Sequence, residues 1–163
     1  MGDEIEMKPE IYALMGFMDK QMKLMNDMVN RIEDFMKSGK MDRISTVYLA
    51  YEVHNYYCAL EDILKEIASV FENSVTDPSR YHAELLKRMN IDIPGIRKAF
   101  LSDETYRLLD ELRRFRHVFR HSYTYELDPE RVRHVCKITL NVHKLLEKDV
   151  EEFKRFLLDV VEE

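Results

Sequence analysis

The stretch Ile11–Met36, IYALMGFMDKQMKLMNDMVNRIEDFM, decides the fold class. Its residues Ile11, Met15, Met18, Met22, Met25, Val29, Ile32 and Met36 follow one another at alternating steps of four and three. That is a seven-residue repeat, the seam of a helix laid against another helix. A second line, Leu14, Phe17, Leu24, Met28 and Phe35, runs beside it and widens the buried face. Methionine stripes also suit adaptable grooves, but at heptad spacing this one reads as packing. Ser38-Gly39 ends the helix, with glycine as a left-handed cap.

The same periodicity continues outward. A second helix runs from about Arg43 to Phe71, with the seam Leu49, Val53, Tyr56, Leu60, Ile63, Ile67 and Val70. Its neighbouring line, Tyr48, Tyr51, Asn55, Cys58 and Asp62, flanked by His54 and Glu61, is aromatic and polar where a pure core line is aliphatic. It reads either as an interface with solvated edges or as one wall of a site or a dimer contact. Asp77-Pro78 starts a short third helix through Tyr81, His82, Leu85, Leu86 and Met89, with aspartate as cap and proline at the first helical position. Ile93-Pro94-Gly95 breaks the chain. Ser102 caps a fourth helix, with Asp103 and Glu104 in its first turn, where the helix dipole favours acids. Its expected apolar face is Leu108, Leu112, Phe115 and Phe119. Asp128-Pro129 opens the last helix, with the seam Val132, Val135, Thr139, Val142, Leu146, Phe153, Leu157 and Val160.

Composition agrees with this reading. The chain has 163 residues, 45% hydrophobic and 34% charged, with only four glycines and four prolines. So few breakers favour long helices and short turns. The expectation is all-α: one domain over residues 1–163, an antiparallel bundle of about five helices without a sheet. Cys58 and Cys136 fall in apolar patterns and read as core thiols rather than a disulfide framework. No apolar run is long enough to span a membrane, and the acidic N-terminus does not read as a signal peptide. A cytoplasmic protein is expected. A net charge of −6 argues against a general nucleic-acid coat, but an acidic body can carry a small basic site that focuses a polyanion in one place.

The segment 113–123, RRFRHVFRHSY, is such a site: four arginines, two histidines and a tyrosine interleaved with Phe115, Val118 and Phe119. Arg116 lies about 40° from Leu112 on a helical wheel, at the border of the apolar face. There its stem can rest on the core while its head reaches a crevice. Arg113 and Arg120 extend the basic edge. Arg116 and His121 are about 140° apart on an ideal helix. They cooperate only if the helix ends at His121 or a second copy faces the first. Histidine suits proton transfer near neutral pH, and arginine suits phosphate through its planar, permanently charged fork. Together they fit RNA cleavage by the substrate's own 2′-hydroxyl. The plainer reading is a solvated face with salt bridges. His117 and His121, one turn apart, also have a metal-capable spacing, but no acid or cysteine partner stands near them in sequence and no metal is expected. His134 and His143 read as surface or supporting residues.

Arg116, four residues, His121, one residue and Tyr123 resemble the Arg-x4-His-x-Tyr motif of HepT-like toxins, ribonucleases of the HEPN superfamily. His117 fits the polar residue that follows the arginine there. The segments Tyr56–Leu64, Tyr81–Leu86 and Tyr123–Leu127 are similar to the family as well, so the resemblance runs from about Tyr48 to Val135. It implies a HEPN-like α-helical homodimer with its site at the dimer interface, acting as a metal-independent endoribonuclease of a toxin–antitoxin module. It implies Arg116 and His121 as the catalytic pair, no cofactor, and RNA as substrate. It also implies a minimal nucleotidyltransferase antitoxin that transfers AMP to Tyr123, where a bulky anion would block RNA. Some HEPN proteins are non-catalytic helical partners of a nucleotidyltransferase or of RNA, and that alternative stands beside the enzyme.

Overall fold

The computed structural model describes residues 2–72, 80–121 and 127–163, with side chains from Met7 onward. Among the described residues there are five helices: α1 (Gly2–Lys37), α2 (Arg43–Phe71), α3 (Tyr81–Arg88), α4 (Asp103–Arg120) and α5 (Pro129–Glu162). The fold is an all-α bundle; Ile93 and Arg97 form an isolated bridge within the α3–α4 connection. The Asp77-Pro78 helix start lies outside the described residues.

Helix boundaries follow local chemistry. Gly39, at φ 71°, turns the chain after α1, a conformation glycine adopts without steric penalty. The Asp42 side chain accepts the Ser45 N–H at the start of α2, and Ser102 Oγ accepts the Thr105 N–H at the start of α4. Asp128 caps α5 with Pro129 in its first turn. Each cap satisfies one of the amides that a helix start leaves without a partner.

Cross-helix contacts give the topology. Gln21 Nε2 donates to the Ala59 carbonyl at 3.0 Å, Arg31 pairs with Glu52 at 3.2 Å, and Phe35 packs on Tyr48, so α1 and α2 run antiparallel. Tyr56 meets His143 and Phe71 meets Phe153, so α2 and α5 run together. The Asp149 carboxylate accepts the Ser102 N–H at 3.0 Å, while Glu111 lies 3.4 Å from His134, so α4 is antiparallel to α5. The C-terminal ends of α1 and α4 therefore share one end of the bundle with the N-terminal ends of α2 and α5.

The α3–α4 connection is pinned by Arg97. Its side chain is fully buried, donates to the carbonyls of Arg88, Ile91 and Lys98, and pairs with Glu72 at 2.7 Å. A buried guanidinium is tolerable only with this many acceptors.

The sequence expectations need correction at several points. In α1, Leu14 and Gln21 are buried while Met15, Met22 and Met36 are only half-buried. The polar Gln21 enters the core because its amide finds a carbonyl there. α1 also begins well before Ile11 and runs through Pro9. In α4 the buried face is Thr105, Leu109, Leu112 and Phe115, with Leu108 and Phe119 at its edges, because the helix wedges between α2 and α5. Cys136 is buried, and burial pushes its thiol up to about 12, but Cys58 is half-buried, 3.6 Å from the His54 ring.

His143 is buried rather than at the surface, its Nδ1 3.0 Å from the Tyr56 hydroxyl. Its Nε2 lies 3.1 Å from the Glu147 carboxylate without a hydrogen bond to it. Burial lowers the basicity of this ring from the ordinary 6.5, and Glu147 only partly opposes that. Its contribution to stability is thus present above pH 6.5 and lost as pH falls through the lowered folded value. Thermal unfolding followed by circular dichroism should show stability declining as pH falls below 6.5. The decline should be smaller in His143→Gln, which keeps a partner for Tyr56 without a titrating ring; an identical pH profile in the variant would remove His143 as a cause.

Candidate functional site

The basic stretch forms the last turns of α4. The helix stops at Arg120, and His121 is its cap, its N–H turned to the Val118 carbonyl at 3.2 Å. The rings of His117 and His121 stand 4.5 Å apart between centroids on the exposed side. Two imidazoles are thus neighbours on one exposed edge of the helix end.

Arg116 turns the other way, toward α2. Its guanidinium is half-buried, and Nε is buried without a hydrogen-bond partner. The facing wall is His54, Tyr57 and Glu61, spaced along one side of α2. The His54 ring lies 4.9 Å from the Phe119 ring, and its Nδ1 is buried without a partner. Burial lowers its basicity, and the nearby Arg116 and Arg120 add to that, so His54 favours the neutral form. Tyr57 is fully buried with its hydroxyl unpaired. Burial above all, then Glu61, raises its phenol far above the ordinary range, while Arg113 and Arg116 oppose. Glu61 accepts from the His82 ring at 2.8 Å and so fastens α3 to the same wall.

Of the basic edge, Arg113 is held by Asp110 at 2.9 Å, which also takes Arg114 at 2.9 Å. Arg120 is exposed. Within one chain no hydrogen bond or ion pair joins Arg116 to His121 among the described residues. The helical geometry explains it: one group faces α2 and the other faces outward. Tyr123 lies outside the described residues, as do Tyr125 and Glu126. Among the described residues no cluster of three His, Cys, Asp or Glu is arranged to hold a metal ion.

The α2 wall was only partly visible in sequence. The polar line beside the apolar seam was evident, but its members separate in space. Tyr48 packs on α1, Tyr51 and Asp62 are exposed, and the residues against α4 are His54, Tyr57 and Glu61. Tyr57 was missed because a tyrosine next to the core residue Tyr56 looks like more core. The signal was the His54, Tyr57, Glu61 spacing of three and four, a helical stripe of groups that all carry hydrogen-bonding atoms.

No described helix is long and apolar enough to cross a membrane. No curated protein and no solved structure matches the chain. A family profile described as HepT-like protein matches residues 48–157, from the first turns of α2 through most of α5, and takes in both walls of the site. The chain belongs to the HepT-like family.

Proposed function

We propose that this protein is the endoribonuclease toxin of a HEPN/nucleotidyltransferase toxin–antitoxin module. The observation that carries the reading is the end of α4: a family match spans it, Arg116 keeps an unpaired Nε, and His121 sits at the helix stop. Two protomers bring two arginines and two histidines to one cleft. One imidazole takes the proton of a ribose 2′-hydroxyl, and the resulting oxygen attacks phosphorus. The bond to the 5′-oxygen breaks, a second imidazole protonates that oxygen, and a 2′,3′-cyclic phosphate remains. Arg116 binds the phosphate oxygens as charge grows on them. No step requires a metal ion or a cofactor.

The need for a second protomer follows from the helix geometry, since one chain turns Arg116 and His121 apart. An exposed apolar stripe beside the site supplies a surface for it. Ile44, Val47 and Tyr51 on α2 are 81%, 48% and 53% exposed and recur at helical spacing, leading to His54 against Phe119. Val118 on α4 is 37% exposed as well. A contiguous apolar face of this kind is the ordinary mark of an interface. Adenylylation of Tyr123 by the partner nucleotidyltransferase would put a bulky anion two residues beyond His121 and exclude RNA.

Three measurements test this. Purified protein is expected to cut single-stranded RNA in the presence of a chelator and leave cyclic phosphate ends. His121→Ala should slow cutting by at least about 100-fold with unchanged melting; undiminished cutting by that variant would remove His121 from the chemistry. Val47→Glu should convert a dimer into a monomer in light scattering and abolish cutting, whereas a dimer unaffected by it would place the interface elsewhere. After incubation with the nucleotidyltransferase and ATP, intact mass should rise by one AMP in the wild type and not in Tyr123→Phe. A Tyr123→Phe chain that is modified equally would sink the assignment of that tyrosine.

A further inference from the structure

A second concave surface lies on the same end of the bundle. Met41, Pro129, Glu130, Arg133, His134 and Lys137 line a cleft of about 450 Å³ between the α1–α2 turn and the first turns of α5. Its charged lining is two bases, Arg133 and Lys137, to one acid, Glu130, with the His134 imidazole beside them, in a chain where acids outnumber lysine and arginine 31 to 25. Several cations of this fold are matched, among them Arg31 with Glu52, Arg97 and Arg88 with Glu72, Arg113 and Arg114 with Asp110, and Lys154 with Asp19, while others such as Lys65 and Lys144 have no ion pair among the described residues. Arg133 and Lys137 have no hydrogen bond or ion pair among the described residues. They stand one helical turn apart, where like charges repel. His134 is held at 3.4 Å by Glu111 of α4, which fixes this part of α5 against the helix that carries Arg116 and His121.

We infer that this cleft binds the phosphate backbone of single-stranded RNA, as a subsite separate from the cutting residues. The inference rests on the ribonuclease reading for the identity of the polyanion. Continuity supports it. α4 and α5 are antiparallel, so the α5 start and His121 share one end of the bundle, and seven residues separate His121 from Pro129. The cleft thus lies toward the bundle end that carries the proposed cutting residues. The subsite also explains how a chain of charge −6 holds RNA: attraction is confined to one end while the rest of the surface repels the strand. Backbone contacts of this kind position a strand without reading its bases.

The test uses the full chain and a short single-stranded RNA with 2′-O-methyl riboses, which lacks the attacking hydroxyl and stays intact. Binding is followed by fluorescence anisotropy across a salt series. Arg133→Gln with Lys137→Gln should weaken binding about tenfold and flatten the dependence of log affinity on log salt by about 0.7 per lost contact. Charge reversal to glutamate should weaken it further, and melting curves show that both variants are folded. Unchanged affinity and slope in folded variants would overturn the subsite. So would unchanged RNA binding together with lost binding to the nucleotidyltransferase, which would make the cleft a protein-docking surface. A wild type that binds RNA through Arg133 and Lys137 but never cuts unmodified RNA would uphold the subsite and refute the ribonuclease reading. A wild type with no salt-dependent RNA binding would overturn the subsite.

Discussion

The bundle depends on α2 being enclosed from several directions at once. α1, α3, α4 and α5 all pack against it. Leu49, Val53, Leu60, Ile63, Leu64 and Ile67 are sealed from water, along with Tyr56 and Tyr57. At roughly 1.5–3 kcal/mol for each large apolar side chain removed from water, no other segment offers so concentrated a driving force. The two tyrosines show how one helix serves two purposes. Tyr56 turns to α5 and meets His143, a contact internal to the core. Tyr57, one residue on and about 100° around, turns to α4 and leaves its hydroxyl among charged groups.

Several polar groups enter this interior with a partner drawn from a distant element. Gln21, Arg97, Asp149 and Glu61 are buried and each has a hydrogen-bond partner from a distant part of the chain. They act as ties: Gln21 between α1 and α2, Arg97 across the α3–α4 connection, Asp149 from α5 to the start of α4, Glu61 from α2 to α3. Among the described residues seven buried side-chain atoms lack a partner; Thr46 Oγ1, Glu72 Oε2, Arg97 Nε and His143 Nε2 are scattered, and the other three, His54 Nδ1, Tyr57 Oη and Arg116 Nε, gather at the α2–α4 contact. Buried polar atoms without partners are costly, and such exceptions gather where a molecule has work other than folding.

Much of the architecture was readable from periodicity and punctuation. The bounds of α2, the caps at Ser102 and Asp128 and the glycine turn at Gly39 follow from residue types whose local chemistry dominates. The basic turn of α4 was equally visible, because six of its cationic or imidazole side chains are consecutive or nearly so. What escaped was whatever required knowing the neighbours. The one-position shift of the α4 face toward Leu109, the burial of Gln21 and His143, and the selection of Tyr57 all depend on which helix lies opposite. A single helical wheel shows where an apolar arc is centred, not which edge of it a second helix will cover.

The stop of α4 at Arg120 makes this helix sensitive to length as well as to composition. Removing or adding one residue between Leu112 and Arg116 would rotate Arg116 by about 100° relative to the buried Leu109 and Leu112, taking it off the α2 wall. The same change would carry His117 and His121 around with it, so compensation within the helix is unavailable. Evolution can therefore exchange side chains on α4 freely only where they are exposed, and can scarcely tolerate insertions or deletions anywhere along it. Divergent descendants of this fold should vary in the connections and keep the span from Ser102 to His121 constant in residue count.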